Sequence, residues 1–362
     1  MLNDEIFMRE ALRIARNAIG RTSPNPLVGA VIVKDGKIIA EGWHKQAGTA
    51  HAEINALKMA GESAKNATLY VTLEPCSHFG RTPPCAKAII EAGIKKVVAA
   101  MGDSNPKVAG KGFEMLKNAG IEVEVGLLEA ESRRLNEVFL KWIEKGLPFV
   151  TMKFASSLDG KICTASGESQ WISGEKSRKF THYLRDINDA ILVGVGTILA
   201  DNPSLTTRFI EGKNPIRVIA DSKLRTPLDS KAINDGEKTI IAVTEGVSSE
   251  KIKKFEARGV EIIKCGVERV DLKMLLKKLA EHEITSILVE GGGKIHFSML
   301  KSGLVDKIYA FIAPKIIGGA KALTSVEGEG FLKLSEAISL KNIEIERFDE
   351  DILIKGYVNG GF

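Results

Sequence analysis

Four side chains in the first quarter of the sequence carry the parts of a catalytic zinc site. His51, Cys76 and Cys85 offer one imidazole and two thiols, and Glu53 follows the histidine by two positions. Catalytic zinc takes three protein ligands and keeps one position for a water molecule, which loses a proton near neutral pH. A carboxylate beside that water can pass the proton to a leaving amine. The four residues therefore predict hydrolytic deamination, with Glu53 as the acid–base group.

The spacing of these residues narrows the prediction. H-x-E followed by P-C-x-x-C is the signature of zinc deaminases that act on nucleobases, so we expect attack at the exocyclic amine of a nucleobase-like pyrimidine. In this chain eight residues, not two, separate the cysteines. The longer segment places His78 and Arg81 beside the metal, and both suit a phosphorylated substrate.

Helix starts must bring the ligands together. Residues two apart on a regular helix do not share a face, so His51 and Glu53 converge only in an irregular first turn. Pro84 favours a helix beginning at Cys85. Because a helix N-terminus lowers the pKa of a thiol, we expect Cys85 to favour the thiolate that zinc requires.

Other interpretations of the cluster stay open. Free cysteines are often small buried hydrophobic residues, and His51 could be a structural histidine. The zinc could also be purely structural. That role usually needs a fourth Cys or His ligand, for which His44 and His78 are the nearest candidates.

The composition limits the class of protein. The 362 residues predict about two domains. A net charge of +5 is small for a nucleic-acid binder. The N-terminus lacks the apolar segment of a signal peptide, and no run approaches the roughly 18 apolar residues of a membrane span. We expect a cytoplasmic protein with small-molecule partners, without a nucleic-acid or membrane partner.

Strand and helix signals alternate along the chain, which indicates α/β layers around a sheet. Asp35-Gly36 predicts a hairpin between strands 28–33 and 38–43. Gly146-Leu147-Pro148 ends a predicted helix over 129–144, so the expected domains are 1–146 and 147–362. Further helices are predicted at 52–60, 84–92, 110–119, 174–187, 248–258, 271–281 and 293–302. Further strands are predicted at 67–73, 95–101, 121–125, 149–155, 190–194, 216–220, 239–243, 260–264, 285–289 and 306–313.

Two glycine-containing segments in the second half could contact a cofactor. Gly194-Val195-Gly196-Thr197-Ile198-Leu199 begins like a dinucleotide fingerprint but has leucine where the third glycine belongs, so a simple turn is equally well supported. Glu290-Gly291-Gly292-Gly293-Lys294 follows an apolar strand and opens a predicted helix. Glycines there allow close backbone approach, and the helix N-terminus can face a pyrophosphate. A turn without ligand is the alternative.

With these motifs in place, the sequence resembles the RibD family of bifunctional riboflavin biosynthesis proteins over nearly its whole length. The motifs that carry the resemblance are Thr22–Pro26 (TSPNP), His51–Glu53, Glu74–Cys85 (EPCSHFGRTPPC), Val108–Gly112, Ser156–Lys161, Ser166–Ile172 and Glu290–Gly293. The resemblance implies a cytidine-deaminase-like three-layer α/β/α domain followed by a dihydrofolate-reductase-like α/β domain. The first would deaminate 2,5-diamino-6-(5-phosphoribosylamino)pyrimidin-4(3H)-one. The second would reduce the resulting 5-amino-6-(5-phosphoribosylamino)uracil to its ribityl form with NADPH, and the family implies a homo-oligomer.

The resemblance also implies roles for individual residues. Zinc would be held by His51, Cys76 and Cys85, with Glu53 catalytic. Substrate contacts in the first domain would be Asn25, His44, His78, Arg81, Asp103 and Asn105. NADPH contacts would be Ala155, Trp171, Thr197, Asp201, Ser222, Gly292, Gly293, Lys294, Ile295, His296, Phe297 and Ser298. Substrate contacts in the second domain would be Ser169, Arg185, Leu205, Arg208 and Glu290.

Several points stay open at this stage. Ser104 replaces the first proline of the family's D-P-N-P motif, which leaves the Asp103 loop less rigid. Lys153 and Asp201 are both candidates for the reductase proton donor, and each could equally be a fold-stabilising charge. Rival functions are a tRNA deaminase, a non-enzymatic zinc module, and a chain with one active half. The low aromatic content of 6% and the small net charge count against the first of these.

Overall fold

The computed structural model describes residues 2–77, 84–105 and 109–358. The chain packs as two compact units that divide after Gly146. Each unit has its own sheet, of five strands in the first and nine in the second. None of the helices in the described ranges combines the length and the apolar character that crossing a bilayer requires.

The first unit is a five-stranded sheet in the order β2-β1-β3-β4-β5. Its elements in chain order are α1 (Leu2–Ala15), β1 (Gly29–Lys34), β2 (Lys37–Trp43), α2 (Ala52–Ala60), β3 (Thr68–Val71), α3 (Cys85–Glu91), β4 (Lys96–Ala99), α4 (Lys111–Asn118), β5 (Glu122–Val125), α5 (Glu129–Leu135) and α6 (Glu137–Lys145). β1 pairs antiparallel with β2 and β3, and β3, β4 and β5 run parallel. The predicted hairpin at Asp35-Gly36 is confirmed.

Alternation along the strands divides the core of the first unit into two layers. Ala30 and Ile32 of β1 face the helices α2, α3 and α4. Val31 and Val33, which point to the opposite side of the sheet, pack against α1. Because successive side chains of a strand alternate between faces, this pattern builds a three-layer α/β/α domain. The predicted fold class of the first domain is confirmed.

The second unit is a nine-stranded sheet in the order β10-β9-β8-β7-β11-β6-β12-β14-β13. Its elements in chain order are β6 (Phe149–Ser157), α7 (Glu175–Ile187), β7 (Ala190–Gly194), α8 (Val195–Asp201), β8 (Ile216–Ala220), α9 (Lys231–Asn234), β9 (Thr239–Val243), α10 (Ser249–Glu256), β10 (Glu261–Lys264), α11 (Leu272–Glu281), β11 (Ser286–Gly291), α12 (Gly293–Lys301), β12 (Lys307–Ala313), β13 (Leu340–Phe348) and β14 (Asp351–Val358). The strands from β10 to β12 run parallel, whereas β14 and β13 form an antiparallel hairpin at one edge.

The parallel strands of the second unit are buried on both faces. Leu192 and Val218 pack into one core with residues of α11, and Ile191 and Ile219 pack into another with residues of α10. Strands covered on both sides read as continuous apolar runs, which is how β7, β8 and β9 appear in the sequence. Their carboxyl ends therefore form one edge at which loops and glycine turns gather.

The structure differs from the sequence-based expectations in several places. α1, α9 and the hairpin β13–β14 were not predicted. The helix expected over 129–144 is two helices that meet at Asn136. The Asn136 carboxamide accepts from the Leu27 N–H (2.8 Å) and donates to the Leu27 carbonyl (3.1 Å), so a long-range contact sets this break. The fingerprint-like segment after Gly194 is a short helix, α8.

Candidate metal centre and reductase cavity

His51, Cys76 and Cys85 converge on one point at the sheet edge of the first unit. Their ligand atoms lie within 4.8 Å of one another. His51 Nδ1 is 3.2 Å from Cys85 Sγ and 3.6 Å from Cys76 Sγ. Within the described ranges, no fourth Cys, His or carboxylate joins this group. One imidazole and two thiols are a donor set of catalytic zinc sites, which keep a fourth position for water.

Two helix starts position these ligands. His51 is the N-cap of α2 with extended backbone (φ −71°, ψ 166°), and Glu53 lies in the first turn of the helix. This break in helical geometry lets the two side chains converge, as predicted. Cys85 is the first residue of α3, after Pro84. The Cys85 N–H donates to Cys76 Sγ at 3.3 Å, which joins the two cysteine segments directly.

The two thiols differ in the ease of losing a proton. A hydrogen bond from Cys85 and the His51 imidazole lower the pKa of Cys76 to about 4. The Cys76 sulfur and burial instead raise the pKa of Cys85. The expected effect of the helix start on the Cys85 thiolate stays a prediction, because a bound zinc ion would favour the thiolate at both cysteines.

Glu53 lies close to the ligands but is buried, with only 3% of its surface exposed. Burial raises the pKa of Glu53 above its usual range, and this outweighs the opposing effect of His51. A carboxyl whose neutral form is favoured can exchange a proton with a neighbouring group near neutral pH. The arrangement suits an acid–base residue.

Asn25 and His44 flank the metal ligands. His44 Nδ1 is 3.2 Å from the Ala50 carbonyl and therefore carries the proton, which leaves Nε2 to accept from Asn25 Nδ2 at 3.1 Å. The His44 ring meets the His51 ring edge-on at 5.3 Å between centroids. Burial lowers the pKa of His44, so the ring favours its neutral form. Asn25 and His44 thus lie beside the metal ligands, where a substrate bound at the metal would be held.

Asp103 and Asn105 lie after β4, next to the strand that leads to Cys76. The Asn105 N–H donates to Asp103 Oδ1 at 2.8 Å, and the Asp103 N–H donates to Glu74 Oε2 at 3.2 Å. His78 and Arg81, also predicted here, lie outside the described residues. The sequence analysis missed Glu74, since nothing in its sequence context separates a structural from a functional carboxylate.

A cavity of about 1540 Å³ opens at the carboxyl ends of the parallel strands in the second unit. Its wall contains almost all of the residues predicted to contact cofactor or substrate in this half. They are Ala155, Ser169, Trp171, Arg185, Thr197, Asp201, Arg208, Ser222, Glu290, Gly292, Gly293, Lys294, Ile295, His296 and Ser298. Two predicted contacts do not line it with their side chains. Leu205 is buried in the core, and Phe297 packs against Phe331.

The two glycine segments face each other in this cavity. β7 and β11 are parallel neighbours, and Thr197 lies on the glycines that end β11. A Cβ on Gly291 would come within 2.9 Å of Thr197 Oγ1. α12 begins at Gly293 beside this cradle. A backbone free of side chains next to a helix N-terminus fits the pyrophosphate of a dinucleotide such as NADPH.

An ion pair between Arg185 and Glu290 lies in the cavity wall. Arg185 Nε and Nη2 donate to the two carboxylate oxygens of Glu290 at 2.6 and 2.7 Å. Burial would raise the pKa of Glu290, but the pairing with Arg185 prevails and the pKa is lowered. Burial lowers the pKa of the neighbouring Lys153. Burial also raises the pKa of Asp201. Both candidate proton donors, Lys153 and Asp201, therefore line the cavity and have shifted pKa values.

The sequence analysis named Arg185 but missed the other residues on the same face of α7. Arg178, Thr181, His182 and Arg185 line the cavity, at helical spacings of three and four. The His182 ring accepts the Arg208 N–H at Nδ1 (2.8 Å), so its proton lies on Nε2. This spacing was a signal available in the sequence. Three further basic residues line the cavity near Ser222, namely Lys223, Arg225 and Arg269. No local sequence motif predicts them.

Comparisons with known proteins agree with both sites. The profile of the cytidine and deoxycytidylate deaminase zinc-binding region matches residues 1–101, and that of the RibD C-terminal domain matches residues 148–354. A RibD protein of Actinobacillus pleuropneumoniae is 47% identical, covering 98% of this chain and 95% of the relative. The Escherichia coli RibD protein is 41% identical, covering 98% and 99%.

Solved structures give the same result. Acinetobacter baumannii RibD superposes with a TM-score of 0.91 at 38% identity, covering 99% of each chain. A Thermotoga maritima protein, described as a diaminohydroxyphosphoribosylaminopyrimidine deaminase/5-amino-6-(5-phosphoribosylamino)uracil reductase, gives 0.86 at 39% identity, covering 98% and 99%.

Fold and sites define a two-domain enzyme, with a zinc-dependent deaminase domain followed by an NADPH-dependent reductase domain. The chain belongs to the RibD family of bifunctional riboflavin biosynthesis proteins. It acts on small molecules, and its cofactors are zinc and NADPH.

Proposed function

We propose that residues 1–146 deaminate 2,5-diamino-6-(5-phosphoribosylamino)pyrimidin-4(3H)-one and that residues 147–362 reduce the product, 5-amino-6-(5-phosphoribosylamino)uracil, to the ribityl compound. The convergence of His51, Cys76 and Cys85 beside buried Glu53 carries the first assignment. The two activities in the name of the Thermotoga maritima relative support these substrates. The order of steps follows from that chemistry, because the reductase consumes what the deaminase releases.

In the deaminase site, His51, Cys76 and Cys85 hold the zinc. Zinc supplies a water-derived nucleophile near neutral pH. Glu53 takes up a proton on the metal side and delivers it to the departing amine, which its raised pKa favours. Asn25 and His44 present an amide and a neutral imidazole to the ring, while Asp103 and Asn105 bind from the neighbouring loop. His78 and Arg81 complete the set as phosphate-side contacts.

In the reductase cavity, the glycine cradle and the start of α12 bind the NADPH pyrophosphate. Ala155, Trp171, Thr197, Asp201, Ser222 and residues 292–298 contact the cofactor. Ser169, Arg185, Leu205, Arg208 and Glu290 hold the substrate, with Leu205 acting through its backbone. A guanidinium suits phosphate because its donors form a rigid fork. Since Arg185 is already paired with Glu290, Arg208 is the better phosphate ligand. NADPH supplies the hydride, and Lys153 or Asp201 supplies the proton.

We further propose that the protein is a cytoplasmic homo-oligomer. β13 is an edge strand that pairs only with β14, and its central residues are exposed. Ile345 lies opposite Ile354, so it shares a face with Ile352 two residues away. Ile345 and Ile352 are 69% and 45% exposed. An apolar face on an edge strand favours association with the same face of a second copy.

The experiment supplies the diaminopyrimidine substrate to the full-length protein, with and without NADPH, and identifies the products by mass. We expect ammonia and the uracil compound without NADPH, and the ribityl compound when NADPH is added. A chelator should stop ammonia release but leave reduction of added uracil intermediate intact. Reduction of the diaminopyrimidine without loss of ammonia would contradict the proposed order.

A further inference from the structure

The Glu74 carboxylate fastens the Asp103 loop to the segment that carries Cys76. Glu74 lies two residues before this cysteine, and its side chain is buried, with 4% exposure. Oε2 accepts the N–H groups of Asp103 (3.2 Å) and Gly110 (2.9 Å), and Oε1 accepts the Gly112 N–H (2.9 Å). Asp103 and Gly110 belong to the segment that joins β4 to α4, and Gly112 lies in the first turn of α4.

This donor set requires a carboxylate. Three N–H groups point at two oxygens, and both oxygens must accept. A glutamine would keep only one accepting oxygen. Its NH₂ group would face the N–H donors on the other side and leave them without an acceptor. Among the described residues, Glu74 forms no salt bridge, so its contacts are with the backbone of this loop.

The loop also packs against the backbone beside Glu74. A Cβ on Gly112 would overlap the Pro75 carbonyl, and a Cβ on Gly102 would lie 3.7 Å from Glu74 Oε2. At Gly112 the backbone therefore lies closer to the Pro75 carbonyl than a residue with a side chain would allow. The position of the loop relative to the metal ligands is set by direct contact.

Hydrogen bonds extend this attachment from Asp103 to Asn105. The Asp103 N–H is held by Glu74, and the Asp103 carboxylate accepts the Asn105 N–H at 2.8 Å. The Asn105 carbonyl accepts the Ala109 N–H at 3.0 Å, which leads back to the Gly110 contact. The two described parts of the loop, residues 103–105 and 109–110, are therefore hydrogen-bonded to each other and to the Glu74 carboxylate.

We propose that Glu74 is a positioning residue of the deaminase: it fixes the distance between the metal ligands and the substrate-binding residues Asp103 and Asn105. This inference rests on the proposed substrate role of that loop. Glu74 does not touch the reacting atoms. It acts by keeping the loop in its binding position before substrate arrives, so its loss weakens substrate binding more than it slows turnover of bound substrate.

The test compares Glu74→Gln with Glu144→Gln in the full-length protein. Glu144 is a matched control because it accepts a hydrogen bond from the Ser104 hydroxyl (2.9 Å) at the outer side of the same loop. For Glu74→Gln we expect the KM of deamination to rise about tenfold or more, because a buried donor loses its acceptor. Bound zinc should be unchanged, and the Gly110 and Gly112 amides should exchange hydrogen faster. Glu144→Gln should change KM by less than about twofold.

Asp103→Ala separates this inference from the proposed function. If Asp103→Ala leaves KM unchanged, the substrate role of the loop fails. If Asp103→Ala raises KM but Glu74→Gln does not, the role of Glu74 is overturned. The double variant should show less than the sum of the two effects, because both act through one loop.

Glu74→Gln could also lose zinc or fail to fold, and each outcome has a defined meaning. Loss of zinc in Glu74→Gln would show damage to the whole metal site and would overturn a positioning role. If that variant does not fold, Glu74→Asp takes its place, since it retains the charge but is one carbon too short to reach all three donors. A higher KM with full zinc content in Glu74→Asp supports the proposal, and an unchanged KM overturns it.

Discussion

At the scale of single residues, the deaminase site depends on how burial changes proton affinity. Glu53 is a carboxyl whose pKa is raised by burial, beside a thiol, Cys76, whose pKa is lowered to about 4. One group is thereby prepared to hold a proton and the other to be a thiolate ligand. The same division between an acid–base carboxyl and metal-binding sulfur was predicted from residue types, and the effect of the helix start on Cys85 stays a prediction.

Replacing Glu53 with Gln should remove deamination while leaving the metal site intact. The amide keeps the shape of the side chain but cannot carry the proton, so we expect kcat to fall by a factor of about 10² to 10⁴. Zinc content and thermal unfolding temperature should match the wild type. The control is Glu62→Gln, an exposed glutamate after α2. Undiminished ammonia release from Glu53→Gln would refute the catalytic role.

His182 should make the second unit less stable in mild acid. Burial, with a smaller effect from Arg185, lowers the pKa of His182 to about 4. Between pH 6.5 and 4 the unfolded chain binds a proton that the folded chain does not, so stability is full above pH 6.5 and falls as the pH falls. The loss can reach about 3 kcal/mol, at about 1.4 kcal/mol per pKa unit.

Urea unfolding of His182→Asn and wild type, measured from pH 7 down to about 4, tests this. The asparagine oxygen can still accept the Arg208 N–H, but it does not titrate. We expect a shallower loss of stability in the variant. Parallel pH profiles of the two proteins would show that His182 does not contribute.

At the scale of elements, the metal site depends on the contact between α2 and β2. Gly42 of β2 lies so close to α2 that a Cβ there would overlap the Ala52 carbonyl and the Ala56 nitrogen. α2 carries Glu53 and begins directly after His51. Any displacement of this helix therefore moves a metal ligand and the acid–base residue together.

Gly42→Ala should lower both stability and zinc affinity. The added methyl has no space, and overpacking costs about 1–3 kcal/mol. We expect a lower unfolding temperature and faster loss of zinc to a colorimetric chelator. Gly246→Ala, where a Cβ meets nothing within 4 Å, is the control. Retention of zinc at the wild-type rate would mean that the helix position does not control the site.

The elements also show what the sequence could predict and why the rest was hidden. Strong local signals located the Asp35-Gly36 hairpin and the helix 52–60, because turn chemistry and apolar pattern depend on neighbours in sequence. The break at Asn136 depends on Leu27, more than a hundred residues away, so no local pattern reveals it. α8 was hidden because its glycines suggest a turn. β13 was missed although Ile343-Glu344-Ile345-Glu346 alternates between apolar and charged residues as strands do.

The site residues divide in the same way. The zinc ligands and the glycine turns carry motifs, and Arg185 was named through the family resemblance. Glu74 and His182 have their roles through contacts that only folding creates, with the Asp103 loop and with the Arg208 backbone. Leu205 shows the reverse case, since the family resemblance names it but its side chain lies in the core.

At the scale of the whole molecule, the chain has two compact units, each with its own hydrophobic cores and site. The exposed apolar face of β13 belongs to the second unit. If this face joins two copies, charge placed there should separate them, whereas charge on an equally exposed apolar residue elsewhere should not.

Ile345→Lys is expected to convert an oligomer into single chains, as measured by light scattering after size-exclusion chromatography. The lysine places an ammonium group in an apolar interface, which is unfavourable without a partner. Ile6→Lys, at a residue of α1 that is 58% exposed, should leave the mass unchanged. A wild type that is a single chain at all concentrations would refute self-association.

The central claim is that an imidazole and two thiolates hold a catalytic zinc ion in the first unit. Metal analysis of purified, active protein beside the variant Cys85→Ser tests it most directly. We predict about one zinc per wild-type chain and nearly none in the variant, with deamination lost and NADPH-dependent reduction of added intermediate retained. Active wild-type protein without bound metal, or full zinc in Cys85→Ser, would contradict the account.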